Sequence, residues 1–362
     1  MNENLTLRKE MLSPPGDTIQ ETIDEIRMSQ ADLAQRMGRS KEKLNDLIKG
    51  REPLSRNTAL LLERVLGIPV SFWINRENAY REELMRIEQE EFLETCVDWV
   101  KNFPLPQLKS LGFLPDTKKY SQLTDALLRF FGVATPRQWE KTYMENRLGA
   151  AFKVSMAHAH SPYAISAWLR IGELKALNLK LPEYNAKAFA TALEEIKEIA
   201  SSQPVEFKEL LQKKCAEAGV ALTFTPGLSK APVSGAAWWM GRNPIIQLSG
   251  RYKTNDHFWF GFYHEAAHVL KHSKKEIFLE DLKGSVLDEE KEKEANLFAQ
   301  KSLLPQKALS QLMISPIDQT IIVEYAKKFK CHPGIIVGQL QHEKVLPYTH
   351  FNNMKVKIEL FD

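Results

Sequence analysis

Apolar side chains recur at helical spacing from about residue 17 to residue 83. Ile19, Ile23 and Ile26 form one such set, Leu33, Ala34 and Met37 a second, and Leu44, Leu47 and Ile48 a third. Leu61, Leu62, Val65 and Leu66 form a fourth, and this spacing predicts short helices, each burying one stripe. Gly38, Gly50 and Gly67 sit where those helices should stop. The polar opening, which ends in Pro14-Pro15-Gly16, reads as a flexible lead-in. From about 90 to 214 the pattern stays helical, punctuated by prolines at 104, 106, 115, 136, 162, 182 and 204. After Gly219 the period changes. Val220 to Phe224 reads as a strand. Ala236 to Met240 and Ile245 to Leu248 read as a hairpin around Gly241-Arg242-Asn243-Pro244. A long helix is predicted from about Asp256 to His272, another from about Asp288 to Leu303, and a helix-rich tail after them.

Composition narrows the class. A chain of 362 residues is too long for one ordinary core, so two or three domains are expected. The net charge is only +3, so nucleic-acid affinity has to come from a local patch. No stretch approaches the roughly 20 apolar residues of a membrane span, and MNENLTLRKE lacks the apolar core of a signal peptide. Three widely spaced cysteines, Cys96, Cys215 and Cys331, fit a reducing compartment. The expectation is a cytoplasmic protein.

The chemistry concentrates in His264-Glu265-Ala266-Ala267-His268. Histidines four apart on a helix differ by about 40° in direction and about 6 Å in rise, so both imidazoles reach one point. Glu265 projects to the neighbouring flank, where it can take a proton from a water that a metal has activated. The pattern predicts a Zn2+ site with Glu265 as general base. A catalytic zinc needs a third protein ligand. Glu292 shares a helix face with Asn296, an arrangement suited to a ligand carboxylate beside an amide that orients a histidine. Glu294 lies on another face and is the weaker candidate, and Glu289 and Glu290 are further alternatives. His272 follows His268 by one turn and serves either the surroundings of the site or the packing; His257 is too early to be favoured.

A second constellation lies near the N-terminus. Ser29 is a good N-cap with Asp32 near the positive end of its helix, and Ala34 is small where two helices must cross. Gly38 permits a left-handed turn, and Ser40 caps the next helix. From Arg36 to Arg56, Arg36, Arg39, Lys41, Lys43, Lys49, Arg51 and Arg56 oppose Glu42, Asp46 and Glu52, a local excess of four positive charges. That is the footprint of phosphate contact, or of a solvated bundle face; spacing alone divides these evenly.

These residues resemble known families. FWFGFYHEAAHVLKH followed by EKEANLFAQKSLLP is similar to the ImmA/IrrE metallopeptidase-like domain, with NPIIQLSGRYKTNDHFW and HPGIIVGQLQHEK extending the likeness over roughly Leu210 to Gln341. It implies a zincin-like core, a small sheet packed on the active-site helix. It also implies His264, His268 and Glu292 as ligands and Glu265 as base. Ala267 departs from the glycine that many members carry there. Residues 17–83, including LSRNTALLLERVLGIPVSFWINRENAYRE, resemble an XRE-type helix-turn-helix of the HigA antitoxin kind. By that motif Gln30 touches phosphate, and Arg39, Ser40, Lys41, Lys43 and Asn45 lie on the DNA side, together with the acidic Glu42 and Asp46. AISAWLRIGELKA resembles regulators that join both parts.

The resulting expectation is an α+β protein. It comprises a lead-in (1–16), an all-α helix-turn-helix domain (17–85), a helical connector (86–209), a zincin-like domain (210–345) and a tail (346–362). The expected partners are operator DNA and a protein substrate such as an XRE-type repressor or a cognate toxin, with no membrane and a homodimer as the working state. Ile245 to Leu248 is expected as an edge strand that aligns an extended substrate. The competing expectation is a non-catalytic HigA-like antitoxin whose zincin-like domain only binds. The connector offers no catalytic constellation: His158 and His160 are two apart and diverge on a helix, and Leu123, Leu127, Phe130 and Phe131 read as core.

Overall fold

The computed structural model describes residues 3–147, 161–281, 289–313 and 316–361. His158 and His160 lie outside them. The chain divides into two compact units, Met1–Val100 with Thr117–Asp125, and Lys101–Asp116 with Ala126–Asp362. Residues 86–209 are shared between the two. The first unit is helical, and the second carries a small mixed sheet, which makes the protein α+β. No helix among the described residues is long and apolar enough to cross a membrane.

In the first unit, α1 (Glu3–Glu10), α2 (Pro15–Glu25), α3 (Gln30–Met37), α4 (Lys41–Ile48), α5 (Arg56–Leu66) and α6 (Val70–Thr95) follow in order. Ile19, Ile23, Leu33, Ala34, Leu44, Leu47, Leu62 and Trp73 form its core. The helix boundaries have local causes. Ser29 Oγ accepts from the Asp32 N–H (3.1 Å) while the Asp32 carboxylate accepts from the Ser29 N–H, a capping box. Gly38, at φ 62°, ends α3 in the left-handed conformation. Ser40 and Ser55 cap α4 and α5.

Two expectations are corrected. The opening residues are not a loose lead-in: Glu3–Glu10 is helical, Leu5 is buried, and Arg8 bonds Glu83 (2.9 Å) and Glu90 (3.0 Å) of α6. Ile26 is not core. It lies past the end of α2 and is 50% exposed, because the helix stops before completing the turn that would turn it inward.

The second unit is built on a four-stranded sheet of order β1-β3-β2-β4. Its strands are β1 (Ala221–Phe224), β2 (Gly235–Met240), β3 (Asn243–Leu248) and β4 (Phe278–Leu279). β2 and β3 form the expected hairpin, with Met240 opposite Asn243 and Gly241 at φ 63° in the turn. β1 runs parallel to β3, and β4 antiparallel to β2. β3 is therefore interior. The expectation that Ile245 to Leu248 is an edge strand is wrong, because β1 closes its other side. Among the described residues the edges are β1 and the very short β4.

Side chains alternate across the sheet. Ile246 and Leu248 join the core that also contains Phe258, Trp259 and Phe262 of the long helix Asn255–Lys271. Gln247 faces the other way and donates to the Trp168 carbonyl (2.8 Å) of the helix Pro162–Leu177. Trp168 Nε1 in turn donates to the Thr225 carbonyl (3.1 Å). Residues 164–176 thus pack on the sheet. The long helix is held on its other flank as well: the Tyr263 hydroxyl donates to Leu193 O (2.8 Å), and Trp259 Nε1 donates to Gln203 Oε1 (2.7 Å). Cys96, Cys215 and Cys331 are buried free thiols, and burial raises the pKa of Cys215 and Cys331.

One position tests the packing of the first unit. A Cβ on Gly16 would stand 1.8 Å from the Ile48 carbonyl oxygen and 2.3 Å from its Cα. Backbone cannot yield as a side-chain tip does, so Gly16→Ala should cost about 3 kcal/mol or more. Amide hydrogen exchange should show that loss of protection in α2 and α4, and unchanged protection would refute the close crossing.

Candidate metal centre

The helix Asn255–Lys271 is apolar nearly all round before the motif, and it is buried from Asn255 almost to its end. That placement carries two histidines and a glutamate into the interior: His264 and His268 are each 2% exposed and Glu265 is 0% exposed. The helix Glu289–Leu303 lies against it, placing Glu292 over the histidine pair. The Nε2 atoms of His264 and His268 are 3.0 Å apart. Glu292 Oε2 is 3.2 Å from His264 Nε2, and its Oε1 is 3.5 Å from His268 Nε2. One ligand atom from each of the three residues lies within 4.8 Å of the others.

The outer partners decide the tautomers. His264 Nδ1 faces Asn296 Oδ1 at 3.0 Å, an oxygen that only accepts, so Nδ1 carries the proton and Nε2 presents a lone pair. A relay does the same for His268. The Glu294 carboxylate, held by Lys271 (2.7 Å), accepts from His272 Nε2 (3.3 Å). His272 Nδ1 is then an acceptor, and His268 Nδ1–H donates to it at 2.8 Å. Both facing Nε2 atoms are therefore lone-pair donors beside a carboxylate. Such a set repels itself unless a cation lies between its members. A tetrahedral ion with bonds of about 2.0 Å has ligand separations of about 3.3 Å, close to those seen, so the residues present fit a metal with two nitrogens and one carboxylate. Phe278 of β4 stacks on the His268 ring (4.0 Å between centroids) and fixes its plane.

Electrostatics follow from burial. His268 is pushed down to about 2, first by desolvation and then by electrostatic effects of the neighbouring His264, His272 and Lys291 side chains. Desolvation opposes the charged form of His264 too, but Glu292, Glu280 and Asn296 outweigh it and raise its pKa. Glu265 is raised well above the carboxylate range by burial and then by the charges of Glu280 and Glu292. Neither of its oxygens has a hydrogen-bond partner among the described residues. An unpaired carboxyl in the interior is costly, and it stands beside the one cluster of potential metal ligands found among those residues.

The structure brings His264, His268, Glu265, Glu292, Asn296 and His272 together. Glu294, the weaker candidate, is placed outside, on His272. Sequence reasoning missed Glu280, whose residue is half-buried while its carboxyl group points inward. Burial first, then the Asp281 and Glu292 charges, raise its pKa against opposing effects of His264 and Ser234. Only the pairing of β4 with β2 brings it there. One signal was available: Gly261 inside a helix costs roughly 1 kcal/mol relative to alanine, so it marks a close approach, and a Cβ there would stand 3.2 Å from Glu280 Oε2.

The helix-turn-helix residues divide. Ser40, Lys41 and Lys43 are exposed on the first turn of α4 or its cap, and Asn45 is half-buried. Gln30 is exposed at the start of α3 and donates to Gln20 (2.6 Å). Arg39 is turned inward, with its guanidinium donating to Thr58 Oγ1 (2.6 Å) and lying 3.8 Å from Glu52. Of the two acids in α4, Asp46 is paired with Arg51 (2.8 Å from Nε) and Glu42 sits near the helix N-terminus.

Comparison with known proteins bears on both units. Residues 215–333 match the peptidase M78 family, described as the IrrE N-terminal-like domain. The uncharacterized HTH-type transcriptional regulator YddM of Escherichia coli (strain K12) is 33% identical over 66 residues, 18% of this chain and 70% of that protein. This chain belongs to the helix-turn-helix transcriptional regulators and carries an IrrE-type metallopeptidase-like domain. The family match spans the helix with both histidines, the helix with Glu292 and Asn296, and all of β2 to β4.

The buried carboxyls have a thermodynamic consequence. Glu265 and Glu280 hold protons in the fold at pH values where the unfolded chain, near pKa 4.5, has lost them. The folded state then binds more protons, so the stability of metal-free protein falls as pH rises above 4.5. Thermal melts in chelator should show this decline, and Glu265→Gln should flatten it. An equally steep decline in the variant would mean that Glu265 ionises normally.

Proposed function

We propose that this regulator is a zinc endopeptidase that cuts a partner protein, an XRE-type repressor or an antitoxin-like chain, while its helix-turn-helix unit binds operator DNA. The observation that carries the reading is the convergence of His264, His268 and Glu292 beside the buried, unpartnered Glu265. His264, His268 and Glu292 would hold Zn2+, since two imidazoles and a carboxylate are a common catalytic zinc set. When bound, the ion would lower the pKa of a water towards about 7 and polarise a carbonyl.

The protein's own groups account for the rest. Glu265 takes the proton of the attacking water and returns it to the departing nitrogen. Asn296 holds the His264 ring, and His272 with Glu294 holds that of His268, keeping both lone pairs aimed at one point. β4, paired only with β2 among the described strands, offers its free edge to an extended peptide. A cleft of about 510 Å³ opens just past the end of β4, lined by Phe260, Leu297, Asn296 and Glu280 among others, and receives substrate side chains.

On the DNA side, Lys41 and Lys43 are presented by α4 with the Ser40 cap at the groove, and Gln30 stands at the start of α3. The internally held Arg39 serves the fold more than the phosphates. A homodimer reading paired half-sites in the cytoplasm completes the proposal.

Two measurements test it. Purified protein should carry one zinc, which His264→Ala loses, and should cleave an XRE-type repressor encoded beside it. Glu265→Gln should retain zinc and lose at least about 100-fold in rate. Stoichiometric zinc without cleavage would favour the non-catalytic antitoxin reading, and cleavage undiminished in Glu265→Gln would remove the base. For DNA, Lys41→Ala and Lys43→Ala should each lower the salt dependence of operator binding by about one in log–log slope. An unchanged slope would take α4 away from the phosphates.

A further inference from the structure

Two glycines frame the metal site without using glycine's special conformations: neither Gly235 nor Gly261 has a positive φ. What they supply is room. A Cβ on Gly235 would stand 2.6 Å from Glu265 Oε1 and 3.0 Å from Glu280 Oε2, and one on Gly261 would stand 3.2 Å from Glu280 Oε2. Two carboxyl groups from different elements thus converge over backbone kept bare for them.

Their surroundings differ. Glu265 is enclosed and does not line the cleft. Glu280 lines it, at the end of the free β4 edge, together with Gly261 and Asn296. Its backbone N–H is spent on the Gly235 carbonyl (3.0 Å), which fixes where the chain runs. Its Oε2 accepts from Ser234 Oγ (2.9 Å), which fixes the carboxyl plane. Oε1 has no hydrogen-bond partner among the described residues.

Accepting the peptidase reading, we propose that Glu280 is a second catalytic carboxylate, which receives the N–H of the scissile peptide bond. An extended chain laid along β4 brings its backbone N–H groups to the strand's end, where Glu280 faces the cleft. In the reaction the water oxygen bonds to the carbonyl carbon, and its proton passes to Glu265. The tetrahedral nitrogen, now basic, takes that proton from Glu265 and becomes positively charged; the C–N bond then breaks, its electron pair goes to nitrogen, the carbonyl re-forms and a neutral amine leaves. The nitrogen gains basicity and then positive charge as this happens. A fixed carboxylate accepting its N–H stabilises that change more than it stabilises the neutral amide, which is what accelerates a step. Glu265 cannot serve both purposes at once, since it is carrying the proton.

The test uses the full-length zinc-loaded protein, with two synthetic decapeptides spanning the bond cut in the neighbouring repressor. One has the natural amide; in the other the scissile NH is replaced by oxygen. Glu280→Gln removes the charge at almost constant shape. It should lower amide turnover by roughly 100-fold. The ratio of amide to ester turnover should drop by more than tenfold, because the ester has no N–H to hold. Zinc content by native mass spectrometry and the melting temperature in zinc should match the wild type, which separates this role from a structural one. Equal losses on amide and ester, or loss of zinc, would overturn the role of Glu280 and leave the peptidase reading standing. Failure of the wild-type protein to cut either peptide would overturn both.

Discussion

Everything at the site depends on keeping one helix buried although it carries two imidazoles and an unpartnered carboxyl group. Charged or unpaired groups in the interior oppose folding. They are tolerated here because the helix Asn255–Lys271 is clamped apolarly on several sides. Phe258, Trp259 and Phe262 enter the main core, and the Tyr263 and Trp259 polar tips are satisfied by Leu193 and Gln203. The rigidity matters chemically. A metal site whose ligands drift by an ångström loses affinity and reactivity, and here each imidazole is held from its far nitrogen as well as by its helix.

The two holds are unlike. His264 is fixed by an amide that cannot change charge, whereas His268 is fixed through His272 by a carboxylate that reaches the surface. The hydrogen bond from Lys271, and then that from His272, lower the pKa of the Glu294 carboxylate below its ordinary value, which favours the anion at the far end of the relay. The consequence is the same at both rings: the proton sits on Nδ1 and the lone pair on Nε2. The alternation Glu292, Glu294, Asn296 on one helix thus divides into inward positions that face the histidine pair and an outward position that anchors a neighbour.

The N-terminal unit obeys a different economy. Its helices are short, and short helices are marginal by themselves. They are bounded by serine caps at Ser29, Ser40 and Ser55 and by left-handed glycines at Gly38 and Gly67, and the core of aliphatic residues around Trp73 ties them together. Those same caps leave the first turn of α4 exposed with its lysines outward. The one basic residue that the motif placed on the DNA side and the fold withdrew, Arg39, is used to hold Thr58 at the start of α5.

Helix periodicity, the caps and the His264-Glu265-Ala266-Ala267-His268 spacing were determined by the sequence alone, because each depends on residues within one or two turns of each other. The i to i+4 relation also brought Glu292 and Asn296 to one face before any fold was known. Strand order was not legible, since nothing in Ile245 to Leu248 says that β1 will close its far side. Glu280 was not legible either. It is one glutamate after the apolar run Ile277-Phe278-Leu279, and only the pairing of β4 with β2, over two glycines in separate elements, turns it towards Glu265. Ile26 and Arg39 show the same limit on a smaller scale: periodicity sees a face, but where the helix stops and what packs beside it decide which side chains lie on it.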